Sequence, residues 1–322
     1  MTHSEDTNDI TVVIPVYNRA DIIGPTLRAV AMQTWRPLSV ILVDNNSTDS
    51  TLSVLQKWKE ANESPGFNIE ILHEEKPGAS AARNCGLRHV RTGWTMFFDS
   101  DDIMAPGHVE RAMSFAYTHP DADIIGWDRA INYLDGRRII RRFYAEDCDF
   151  HNVFHSIFST ETYIARTDLF RRAGGWDETI SMGDDIELGH RLLALRPVIR
   201  KAPGPITVEV QESTMSISSD SGIRIRRFVA AYESIRSHLA ETHRHWVDLR
   251  YIVLAANEAK GDPESPRFVK EILNRTSSPR RWLWEAFYRY SLAGGRGVAK
   301  IYGLMRNIIS PCPFSHKKML KL

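Results

Sequence analysis

The stretch Ile10–Asp44, ITVVIPVYNRADIIGPTLRAVAMQTWRPLSVILVD, decides the fold. It opens with a short apolar, β-branched run broken at Pro15, the pattern of a buried strand. ADIIGPTLRAVAMQT follows with helical spacing through Ile22, Leu27, Val30 and Ala31, and with Asp21 near its start. LSVILVD then returns to an uninterrupted apolar run that stops at Asp44. Runs that are apolar throughout, rather than alternating, belong to strands covered on both faces, as in a parallel sheet.

The alternation continues outward. STDSTLSVLQKWKEAN opens with capping residues and predicts an amphipathic helix through Leu52, Leu55 and Trp58. FNIEILHEE reads as a third strand, GASAARNCGLRHV as a helix rich in small residues, and WTMFFD as a fourth strand ending at Asp99. Repeated strand–helix alternation predicts an α/β fold with a mostly parallel sheet flanked by helices. After Asp102 the alternation stops. Residues 108–144 predict a helix, a strand and a hairpin around Asp135-Gly136, and a further helix opens near Asp184 and Asp185. PVIRKAPGPITVEVQ reads as strand, and from Gly222 the pattern is mostly helical, with a break at Lys260–Arg267.

Composition narrows the class. The chain has 322 residues, is 43% hydrophobic and 25% charged, and carries a net charge of +1, so no global field points to nucleic acid. The charge is uneven: residues 265–322 hold 12 Lys/Arg against 2 Asp/Glu. Such a basic tail either meets an anionic surface or docks on the acidic body. Cys85, Cys148 and Cys312 are too few and too scattered for a disulfide framework, which suits a reducing compartment. The start, MTHSEDTNDI, does not read as a signal peptide, and no run is long and apolar enough for an ordinary membrane span. The reading is cytoplasmic.

Asp44 and Asp99 each end a buried strand, and the carboxyl edge of an open α/β sheet is where ligands bind. The carboxylates of MFFDSDD therefore lie on the working edge. A dense carboxylate set behind an apolar strand is costly unless a positive partner is present.

The segments TVVIPVYNRAD, VILVDNNSTDST, KPGASAARNCGL, FFDSDD and GGWDETISMGDDIELGHRL, in this order and spacing, resemble the inverting family 2 glycosyltransferases of GT-A fold. The resemblance covers residues 10–216, two thirds of the chain. It implies a flexible start (1–9), a GT-A domain (10–216) with a nucleotide-binding half (10–102) and an acceptor-binding half (103–216), and a helical C-terminal region (217–322). It implies transfer of a sugar from a nucleotide diphospho-sugar, usually a UDP-sugar, to a hydroxyl of a glycan or lipid-linked acceptor, as in surface polysaccharide synthesis. Pro15, Tyr17 and Asn18 map to the base and ribose loop, and Asp44 to the acceptor of the uracil N3–H. Arg83 maps near the base or phosphates, Asp99 to the ribose, and Asp101 to a Mn2+ or Mg2+ ion bridging the diphosphate. Asp102 either joins them or caps the next helix. Asp185 maps to the general base, with Asp184 orienting the acceptor, and Trp176 is a sugar-stacking surface or a core residue.

Two positions depart from the family pattern: Asn45 replaces a usual Asp, and Gln211 stands where relatives often have His. A non-catalytic nucleotide-sugar-binding module is the alternative reading. A sugar nucleotidyltransferase is disfavoured because no glycine follows the first strand until Gly24.

Other features are read as structural. His151 and His155 lack the Glu of a zinc motif, Cys85 is packing, and Arg137–Arg142, RRIIRR, is an exposed hairpin edge with an anionic acceptor as its alternative use. In the tail, Val298, Ile301, Tyr302, Met305, Ile308 and Ile309 share a helical face. Trp282, Trp284, Phe287, Tyr288 and Tyr290 suit a headgroup interface, and Lys317, Lys318 and Lys321 follow. The expectation is either a peripheral contact with the anionic inner face of the plasma membrane or packing on the catalytic domain.

Overall fold

The computed structural model describes residues 9–212, 224–258 and 265–309; Cys312, the segment STMS and the terminal lysines lie outside them. The chain divides into two compact units, one taking the described residues to 212 with 226–244, the other 224–225 with 245–309.

In the first unit the expected alternation is present: β1 (Ile10–Val16), α1 (Gly24–Ala31), β2 (Leu38–Asp44), α2 (Thr51–Asn62), β3 (Phe67–His73), α3 (Ala79–His89) and β4 (Trp94–Phe97). β1 pairs in parallel with both β2 and β4, and β2 with β3. Both faces of β1 are covered, which explains its unbroken apolar run. Val12 and Ile14 pack into one layer with Leu27, Val30 and Leu55, while Val13 packs into the other with Ala82 and Cys85. β3 pairs only with β2, at the edge of the sheet, and its burial alternates along Phe67–Glu70 accordingly.

The small residues of α3 have a packing reason. A Cβ on Gly86 would fall 2.4 Å from Val13 Cγ1 and 3.3 Å from Val43 Cγ2, so the helix backbone lies close against the sheet. Gly86→Ala should therefore destabilise the protein by about 1–3 kcal/mol, as overpacking does, read as a lower midpoint in urea with an unchanged slope. A wild-type midpoint would contradict this close approach.

Beyond Asp102 come β5 (Ile103–Met104), α4 (His108–Thr118), β6 (Ile124–Gly126), β7 (Arg129–Asn132), β8 (Arg138–Arg141), α5 (Cys148–His155), β9 (Tyr163–Arg166), α6 (Thr167–Arg172), α7 (Asp184–Ala194), β10 (Ile199–Lys201), β11 (Val208–Gln211) and α8 (Arg224–His238). Among the described residues the main sheet has seven strands in the order β10-β6-β9-β4-β1-β2-β3, with β9 antiparallel to both neighbours. A second sheet has the order β5-β11-β7-β8. The run read as one strand, PVIRKAPGPITVEVQ, is two strands in different sheets, separated where Pro203 and Pro205 remove ladder donors. The hairpin at Asp135-Gly136 is present, with Gly136 at φ 83°.

α8 joins the first unit over most of its length. Its Phe228 and Ala231 approach Gly183, and Ser234 Oγ donates to Glu187 at 2.8 Å, which ties it to α7.

The second unit holds α9 (His245–Glu258), α10 (Ser265–Arg275), α11 (Ser278–Leu292) and α12 (Val298–Ile309). Trp284, Phe287 and Tyr302 form its aromatic core, so two of the expected headgroup aromatics are buried within this unit, while Trp282 and Tyr290 are exposed. Among the described residues no helix is long and apolar enough to cross a membrane.

Candidate active site

The register of the parallel strands builds the site. β1 and β2 pair Val16 with Asp44, so the loop after β1 stands beside the end of β2. Asn18 takes a left-handed φ of 49°, its main-chain N donates to Ser47 Oγ at 3.0 Å, and its Oδ1 accepts from Thr48 N at 2.8 Å. Two loops are thereby stitched together, with Tyr17 exposed at the mouth and Pro15 half-buried in β1. Asp44 is buried; its Oδ2 contacts His73 Nδ1 at 3.3 Å, but its Oδ1 has no hydrogen-bond partner among the described residues. A buried acceptor of this kind suits an incoming N–H.

The Asn45 side chain is spent on main-chain groups. Its Nδ2 donates to Glu74 O at 2.9 Å and Lys76 O at 2.7 Å, and its Oδ1 accepts from Gly78 N at 2.8 Å. A carboxylate has no donor for the two carbonyls, so the departure from Asp serves the loop that leads into α3.

Arg83 links the two halves of the site. Its guanidinium donates to Asp99 Oδ1 at 2.8 Å and to Asp184 Oδ2 at 3.0 Å, and lies 4.4 Å over the Trp176 ring. Burial works against its charge, but Asp99 and Asp184 outweigh it and raise its pKa above the ordinary guanidinium value. Trp176 is 3% exposed and packs edge-on to Phe97 at 5.3 Å. It is a core residue supporting Arg83, not an exposed sugar platform.

Asp184 and Asp185 begin α7, as expected, after Gly183 at φ 78°. They differ in environment. Asp184 is pinned by Arg83 and by Ser80 Oγ at 2.9 Å. The Asp185 Oδ1 accepts from Ile186 N at 2.7 Å. Burial, then the neighbouring Asp184 charge, push the Asp185 carboxyl up to about 6.

The DSDD turn brings in a residue absent from the sequence reading. Ligand oxygens of Asp99, Asp102 and Glu161 lie within 4.8 Å of one another. Glu161 is buried between Thr160 and Thr162 ahead of β9, where no spacing or motif flags it. Asp102 Oδ1 accepts from Gln211 N at 2.9 Å, so Gln211 contributes through its main chain. Asp101 stands apart from the trio and is 4.0 Å from Arg19.

Burial and then the Asp99 charge lift both Asp102 and Glu161 well above the usual carboxylate range, despite the Arg129–Glu161 pair at 2.5 Å. Burial also lifts Asp99, but Arg83 outweighs it and holds Asp99 low. Hard oxygen donors with too little positive charge among them fit a Mg2+ or Mn2+ ion.

A profile for Glycosyl transferase family 2 matches residues 11–174, half of the chain. The chain belongs to that family. It is 31% identical over 110 residues to the uncharacterized glycosyltransferase YibD of Escherichia coli, covering 34% of this chain and 31% of that one. It is 29% identical over 208 residues to the pre-mycofactocin glycosyltransferase of Mycobacterium tuberculosis, covering 61% and 41%. Matches to these and other curated family 2 relatives span from about a fifth to three fifths of the relatives' length.

Among solved structures, S. aureus TarS 1-349 in complex with UDP-GlcNAc superposes with a TM-score of 0.60 at 18% identity, covering 92% of each chain. The mannosyltransferase PcManGT from Pyrobaculum calidifontis, in complex with GDP-Man and Mn2+, gives 0.58 at 17% identity, covering 94% of this chain and 90% of that one. These likenesses show the fold, which is GT-A.

Proposed function

We propose that this family 2 chain is an inverting glycosyltransferase, moving a sugar from a UDP-sugar to a hydroxyl of a glycan or lipid-linked acceptor. The observation that carries this reading is the Arg83 bridge between Asp99, on the nucleotide edge, and Asp184, at the start of the helix bearing Asp185. It joins a nucleotide cradle to a carboxylate whose pKa, about 6, suits proton abstraction near neutrality. The nucleotide sugars held by TarS and PcManGT support the donor class.

In this reading Asp44 Oδ1 accepts the base N–H. Tyr17 gives the base an apolar face, and Pro15 and Asn18 shape the loop. Asp99 meets the ribose, and Arg83 lies beside the phosphates. Asp101 would hold Mn2+ or Mg2+, with the converging trio of Asp99, Asp102 and Glu161 as the second candidate set; the ion when bound neutralises charge on the departing diphosphate. Asp185 takes the proton of the acceptor hydroxyl as that oxygen attacks the anomeric carbon from the face opposite the nucleotide. Asp184 fixes Arg83 and so the relative placement of donor and base.

The test is nucleotide release from a panel of UDP- and GDP-sugars. The expected result is release from a UDP-sugar that depends on Mn2+ or Mg2+ and stops with EDTA. Binding of UDP without turnover of any donor would favour a non-catalytic module instead.

A further inference from the structure

We propose that Arg141, on the edge of the small sheet, forms a subsite for a phosphate carried by the acceptor. This rests on the glycosyltransferase reading above. The inference begins from strand register. β7 and β8 are antiparallel, with Arg129 directly opposite Arg141. Opposed residues put their side chains on the same face of a sheet, with Cα atoms about 4.5–5.5 Å apart. From that face Arg129 reaches Glu161 at 2.5 Å and Ser159 Oγ at 2.9 Å. Glu161 in turn converges with Asp99 and Asp102. Arg141 therefore starts one strand outward from the carboxylate cluster and shares the face that addresses it.

Like charges placed directly opposite destabilise a strand pair. Arg129 spends its guanidinium on Glu161 and Ser159. The Arg141 side chain is exposed and has no hydrogen-bond or ion-pair partner among the described residues, and neither has the Arg142 side chain beside it. The rest of RRIIRR behaves differently. Arg137 pairs with Asp135 at 2.6 Å, and Arg138 pairs with Glu209 at 3.1 Å, the carboxylate that also holds Asn132. The hairpin is thus internally neutralised at its turn and left positive at the end nearest the site.

The chemistry of the missing partner follows. A guanidinium presents a planar fork that matches phosphate oxygens in pairs. β8 is the edge strand of its sheet, so Arg141 is open on its outer side. It lies after the DSDD turn in the chain and in the second sheet, whereas the base and ribose loop follows β1 of the main sheet. An anion arriving there belongs to the incoming acceptor, as a lipid phosphate or as a phosphate on a glycan.

The test is calorimetric titration of the full chain with Mg2+, run with and without UDP. The probes are octyl phosphate below its micelle concentration, neutral octyl glucoside, and glucose 6-phosphate. The expected result is octyl phosphate binding about tenfold tighter than octyl glucoside, the worth of a charge-assisted hydrogen bond. Arg141→Gln should abolish that preference, and Arg138→Gln, on the opposite face, should keep it. Binding of glucose 6-phosphate as well would mark a phosphorylated glycan, and its failure to bind a lipid phosphate. A wild type without the preference, or an Arg141→Gln variant that keeps it, would overturn the proposal. UDP affinity is measured separately, so a failure of the nucleotide reading shows there and leaves the anion result standing.

Discussion

Asp185→Asn lowers kcat by about 10²–10⁴-fold, the usual cost of a lost general base, while UDP affinity stays close to that of the wild type. The separation follows from geometry. Asp185 is not among the ion-pair partners of Arg83, whereas Asp184 is held by Arg83 and Ser80. Replacing Asp185 therefore leaves the Arg83 bridge intact. Replacing Asp184 frees Arg83 and disturbs donor placement as well, so Asp184→Asn should raise KM for the donor along with its effect on kcat.

The pH profile gives the same residue a second signature. Burial and the Asp184 charge raise the Asp185 carboxyl to about 6. The working form of a base is the deprotonated one. Activity should therefore be level above that pH and fall about tenfold per unit below it, in proportion to the ionised fraction. That limb should vanish from the residual activity of Asp185→Asn. If Asp184→Asn is the variant that loses kcat and the limb, the two roles are reversed.

The second large effect concerns the ion. Asp101→Asn should raise the Mn2+ concentration for half-maximal activity by at least about 10–100-fold, the range seen when a metal site loses a group that only supports a ligand. The fold should survive, because the Asp101 carboxylate makes a loose ion pair with Arg19 at 4.0 Å. Mn2+ binding followed by electron paramagnetic resonance, without donor, checks the affinity independently of turnover. If Asp102→Asn or Glu161→Gln weakens binding and Asp101→Asn does not, the ion sits in the inner trio.

Much of the fold was legible because covered parallel strands write themselves as unbroken apolar runs. β1, β2 and β4, the helix α2 and the start of α7 at Asp184 all appear where the pattern puts them. The less legible parts have physical causes. β10 and β11 are each so short that one apolar stretch bridged by prolines reads as a single strand. Ile22 was read on the buried face of the first helix, yet it is exposed and Ile23 is buried, because the helix begins only at Gly24 with Pro25 in its first turn.

The candidate site divides in the same way. Asp44, Asp99, Asp184 and Asp185 sit at strand ends and a helix start, positions that periodicity exposes. Glu161 and Arg129 come together through tertiary structure alone, since the segments before β9 and at the start of β7 meet only when the two sheets are assembled. Trp176, read as either a sugar-stacking surface or a core residue, lies against Arg83, and Asn45, read as a departure from Asp, is committed to the loop before α3.

The central claim is a single displacement by a hydroxyl that Asp185 activates on the face opposite the nucleotide. The most direct measurement is proton NMR of the first sugar formed when an α-linked UDP-sugar, chosen by the release panel, is turned over in water without acceptor. Spectra collected before mutarotation should show the β anomer. A first-formed α anomer would mean retention and would contradict the account.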